Sequence, residues 1–104
     1  MKVEIPGQWK VISFYGPDSQ ALQHAEEMAE LIQAVSKMRR ARNSGTDDTA
    51  AYDNLVEELA DVLISIEQIK ETYGIQDHEI QTMITRKCLR QEARMNDAYR
   101  KLHL

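Results

Sequence analysis

Residues 26–31 read Glu26-Glu27-Met28-Ala29-Glu30-Leu31 and residues 57–62 read Glu57-Glu58-Leu59-Ala60-Asp61-Val62, so one phrase recurs 31 positions later. Both copies lie in stretches of helical period, and acids three apart on a helix are neighbours on its surface. At roughly 100° per residue, Glu27 falls beside Leu31 and Ala34, and Glu58 beside Val62 and Ile69, each at the shoulder of an apolar stripe. Helices packed along those stripes would bring four carboxylates, Glu27, Glu30, Glu58 and Asp61, to one seam. Such a cluster repels itself, raises its own pKa values and destabilises the fold unless a cation sits in it. An all-oxygen donor set suits a hard divalent ion, magnesium first, with manganese as a substitute.

The segments around the repeats predict three helices. Pro17-Asp18-Ser19 marks a start with Asp18 or Ser19 as N-cap, and the first helix runs to about Arg42. Its expected inner side is Leu22, Ala25, Met28, Ala29, Ile32 and Val35. The polar run 43–49 is a turn, after which a second helix starts near Thr49 or Asp53 and ends at Tyr73, before Gly74. Its apolar positions span more than one stripe, which implies contact on two sides. Asp77 is placed to cap a third helix whose inner line is Ile80, Met83, Ile84, Cys88 or Gln91, Met95, Ala98 and Leu102. Residues 1–17 read as an irregular arm whose apolar part is Val11–Tyr15. The expected fold is therefore all-α, a bundle of three main helices in a single domain over 1–104, with 18–104 as helical core. A chain of 104 residues buries only about two-thirds of its unfolded surface; with so wide an apolar second helix, completion of the bundle by a homodimer or homotetramer is expected.

Composition removes several alternatives. With 17 acids against 13 bases and a net charge of −4, the chain has no basic field for duplex nucleic acid. The lone Cys88 makes neither an intramolecular disulfide nor, by itself, a zinc site. The absence of a signal-peptide pattern or long apolar run predicts a cytoplasmic protein without a membrane span.

The order Glu-Glu-x-x-Glu-Leu, a long gap, Glu-Glu-x-x-Asp-Val, then Lys-x-x-Arg-x-x-x-Arg at Lys87, Arg90 and Arg94 resembles the MazG-like all-α nucleoside triphosphate pyrophosphohydrolases over about Tyr15 to Arg94. The resemblance implies a MazG-like bundle that hydrolyses an NTP or dNTP to the monophosphate and pyrophosphate with magnesium. It carries Glu27, Glu30, Glu58 and Asp61 over as catalytic metal ligands, and Lys87 and Arg90 as phosphate-binding residues. A competing reading is a non-catalytic helical module that keeps the fold and binds a nucleotide or a partner. A di-iron bundle would need Glu-x-x-His on two helices, and neither acidic phrase has that histidine. His78 and His103 read as surface residues and Cys88 as a small core hydrophobe. Trp9, Phe14, Tyr15 and Tyr52 are aromatics of a kind that can stack on a base, though such residues more often pack.

Overall fold

The computed structural model describes residues 3–7 and 14–103; Trp9 and the apolar positions 11–13 of the arm lie outside the described residues. Among those described, the long elements are all helical and no strand occurs: α1 spans Pro17–Asn43, α2 Thr49–Tyr73 and α3 Asp77–Leu102. The chain divides into two compact units, Met1–Tyr73 with α1 and α2, and Gly74–Leu104 with α3. No helix is long and apolar enough to cross a membrane.

Helix α1 begins earlier than expected. Gly16 is its N-cap at φ 83°, a left-handed conformation that glycine adopts without a Cβ clash. Pro17 follows at the first helical position, where its missing N–H costs nothing. Asp18 is thus in the first turn rather than at the cap, where its charge still favours the helix dipole.

The link 44–48 turns the chain back through local bonds. Ser44 Oγ donates to the Arg40 carbonyl at 2.8 Å, and Arg42 Nε donates to Asp48 Oδ2 at 3.0 Å. Asp47 Oδ1 accepts from the Thr49 N–H at 3.0 Å and the Thr49 hydroxyl at 2.7 Å, holding the first residue of α2. Those two bonds also hold the Asp47 carboxyl below its ordinary range. So short a link makes α1 and α2 an antiparallel hairpin.

The hairpin seam follows spacings of three and four. From α1 it takes Gln20, His24, Ala34 and Met38, all buried, with Leu31 half-buried between them. From α2 it takes Val62, Ser65 and Gln68, with Leu55 and Ile69 half-buried. Ala34 has no exposed surface and Ser65 almost none, so small side chains let the two backbones approach. The stripe expected inside α1 is instead on its outer surface: Leu22 is 71% and Ile32 68% exposed, and Ala25, Met28, Ala29 and Val35 are exposed too. Helix α1 carries two lines of near-seven-residue period, and counting apolar residues selects the more apolar line, whereas α2 packs on the mixed one.

Outer apolar residues also run along α2 as Tyr52, Val56, Leu59, Ile66 and Tyr73. In helical rotation they lie roughly a third of a turn from the seam, in the same sense as the outer stripe of α1. In an antiparallel pair, equal rotation places both stripes on one face of the hairpin. Glu30 and Asp61 are rotated the opposite way, so the carboxylates occupy the other face.

Helix α2 ends before Gly74 at φ 67°, as the sequence led us to expect. At α3 the cap is Gln76, one residue before the expected Asp77, and its backbone N–H donates to Glu79 Oε2 at 2.9 Å. Helix α3 contains no buried residue; Ile80 is half-buried and the rest of its predicted inner line, Cys88 included, is exposed. His78 and His103 are exposed, as expected.

Candidate metal centre

The antiparallel pairing inverts one acidic phrase against the other. Glu27 on α1 therefore faces Asp61 on α2, and Glu30 faces Glu58. One carboxylate oxygen from each of the four lies within 4.8 Å of the other three. Two turns of two helices thus produce a near-symmetric four-acid cluster. Acid pairs on a solvated surface would splay apart, because each long side chain can move its charge into water.

Three of these four are half-buried and less free to do so, while Glu30 is exposed. Glu27 is half-buried, and its Oε1 accepts from Gln23 Nε2 at 2.6 Å. The second oxygens, Glu27 Oε2 and Glu58 Oε2, are buried and have no hydrogen-bond partner among the described residues. Burial is the main cause that raises the Glu27 carboxyl; the charges of Asp61 and Glu30 add to it, against the Gln23 bond. Glu58 is raised in the same way, by burial first and then by Glu30, Asp61 and Glu27. Buried carboxylate oxygens without donors are the groups that a hard cation satisfies, so the donor set fits magnesium or manganese.

A cleft of about 540 Å³ adjoins the cluster on the same face. Glu27 and Asp61 line it beside the cluster, and its further lining includes Gln20, Gln23, Ser65 and Gln68. Sequence reading missed these four polar residues. Their signal was available: Gln20, Ser65 and Gln68 continue the three-and-four spacing of the seam, and polar side chains on such a line are either core defects or site residues. Of the aromatics, Tyr15 reaches the cleft and stacks edge-on against Phe14 with ring centroids 4.8 Å apart, while Tyr52 is exposed on the outer stripe.

Histidine 24 lies one turn before the cluster, buried in the seam, and its Nδ1 has no partner among the described residues. Burial lowers its pKa, which keeps the ring neutral. Lys87 and Arg90 are exposed on α3, one turn apart; the cluster itself is assembled wholly by α1 and α2. Glu26, beside the first pair, is exposed. No protein-family model, curated protein or solved structure matches the chain.

Proposed function

We propose that the chain is a magnesium-dependent nucleoside triphosphate pyrophosphohydrolase of MazG-like type, working as a homo-oligomer. The observation that carries this reading is the convergence of Glu27, Glu30, Glu58 and Asp61 within 4.8 Å from two inverted copies of one phrase. Two of those carboxylates keep a buried oxygen without a donor, which is costly unless a cation shares it. The order of the acidic phrases and the Lys87–Arg94 run resembles the same family, and an apolar face opposite the carboxylates supports self-association.

In this mechanism the four carboxylates would hold the cations, which would supply charge neutralisation for the triphosphate and lower the pKa of the attacking water. Any carboxylate of the cluster left free of the cations would be placed to accept a proton from the attacking water. Water oxygen bonds to the α-phosphorus while the bridge to the β-phosphorus breaks, releasing monophosphate and pyrophosphate. The water's proton passes to a carboxylate oxygen. Lys87 and Arg90, by the family resemblance, would receive charge on the leaving pyrophosphate.

The test is pyrophosphate release from a panel of ribo- and deoxyribonucleoside triphosphates. Release should require magnesium or manganese and stop in excess chelator. Hydrolysis that persists undiminished in chelator, or no release from any triphosphate, overturns the reading.

A further inference from the structure

The cleft beside the carboxylates has a chemical gradient along it. Its acidic end is Glu27 and Asp61; its other end carries carboxamides and hydroxyls, and among the described residues no lysine or arginine lines it. The described lining thus offers phosphates a place at the acidic end, where cations held by the carboxylates would neutralise them. Gln20, Ser65 and Gln68 are 7%, 3% and 6% exposed, yet none uses its side chain in a hydrogen bond among the described residues. These side chains line the cleft with their donors and acceptors unused, so they are free to pair with a ligand there. A carboxamide presents one donor and one acceptor in a plane, the complement of the adjacent donor and acceptor on a nucleobase edge. Tyr15 and Ile64 add flat and apolar surface to the same cleft, as a heterocycle requires. Its volume lies within the range of roughly 300–1,000 Å³ common for small-molecule sites.

From this gradient we infer that the amide-lined end binds an uncharged nucleobase, whose edge is read by Gln20, Ser65 and Gln68. The inference rests on the pyrophosphohydrolase reading for where the phosphates lie, but its test does not need turnover. Nucleoside 5′-monophosphates with each of the common bases, and abasic deoxyribose 5-phosphate, are titrated calorimetrically into the full chain with magnesium. At least one base should bind about tenfold or more above the abasic compound, a margin that one or two hydrogen bonds supply. Gln20→Leu and Gln68→Leu should each reduce that margin by about tenfold. Abasic binding, and manganese binding followed by paramagnetic relaxation, should stay unchanged.

Ser65→Ala removes only one oxygen, so it tests the same margin should a leucine variant fail to fold. Equal binding of the abasic compound and every nucleotide by the wild type overturns the inference. An undiminished margin in the folded variants overturns it as well. A base-dependent margin without pyrophosphate release from any triphosphate would remove the enzyme reading and leave the base site standing. Triphosphate hydrolysis that is indifferent to the base, with no binding margin, would do the reverse.

Discussion

Changing one carboxylate at a time distinguishes a metal site from four crowded acids. Asp61→Asn and Glu30→Gln keep shape and remove one ligand charge each. Loss of groups in and around metal sites typically costs about 10- to 100-fold or more in affinity or activity, so both variants should be nearly inactive in pyrophosphate release. Without metal they should melt no lower than wild type, because repulsion within the cluster is relieved. Magnesium should then raise their melting temperature little. Glu71→Gln, exposed on α2, is the neutral control; Glu67 is unsuitable because Lys70 Nζ bonds both its oxygens at 2.8 and 3.0 Å. Full turnover by Asp61→Asn with an unchanged magnesium response would refute the four-ligand site. The pH dependence of Glu58→Gln is a separate check on the metal-free protein. A glutamate raised above its ordinary value of 4.5 contributes stability that is present below that value and lost as pH rises through the raised one. The variant, permanently neutral, should therefore exceed wild type in melting temperature at neutral pH, and the difference should close as pH falls toward 4.5. His24 acts oppositely, because its lowered pKa removes stability as pH falls below 6.5. It is present in both proteins, so the difference between them removes the His24 contribution and reports Glu58 together with the carboxylates it repels. A constant difference across that range would contradict burial of Glu58.

At the level of elements, the helices and the acidic cluster were legible in sequence and the identity of the seam was not. Pro17, Gly45, Asp47, Gly74 and Glu79 punctuate the chain through fixed φ, left-handed φ or caps, and these are local properties. The repeat was legible because two copies 31 residues apart, on helices joined by a short turn, must meet in inverted order. Which line of α1 meets α2 depends on fit between two surfaces. The shoulder position of Glu27 beside Leu31 and Ala34 already indicated the mixed line, but the more apolar line outweighed it in the reading of the core. The cleft residues were lost with it, since Gln20 lies on the line that was assigned outward. The corrected seam makes its own prediction. Ala34, with no exposed surface, sits where α1 and α2 approach, so Ala34→Leu should overpack the hairpin and cost about 1–3 kcal/mol. Gln33→Leu, exposed one residue away, should change stability by less than about 0.5 kcal/mol. Chemical denaturation of the two variants measures both; equal stability would return α1 to the expected orientation.

At the scale of the molecule, the hairpin presents two unlike faces. One carries the carboxylates and cleft, and the other carries Leu22, Ile32 and Val35 from α1 with Val56, Leu59 and Ile66 from α2, all substantially exposed. Apolar residues aligned on one face of a small hairpin are the kind of surface on which proteins associate. The expected partner is a second copy, since joining two such faces completes a four-helix arrangement with carboxylate clusters directed outward. Sedimentation should report a dimer or larger species at micromolar concentration. Ile32→Glu, at the middle of the outer stripe, places a charge in the shared interface of both copies and should shift the protein to monomer at the same concentration. Glu26→Gln, exposed on α1 beside the acidic cluster, should leave assembly unchanged. Because the carboxylates lie on the other face, the Ile32→Glu monomer should keep binding manganese to the extent that its hairpin stays folded, which circular dichroism follows in parallel. A wild-type protein that remains monomeric at high micromolar concentration would show that this apolar face is covered some other way, and the homo-oligomer would be abandoned while the proposal of a metal centre on the opposite face stood.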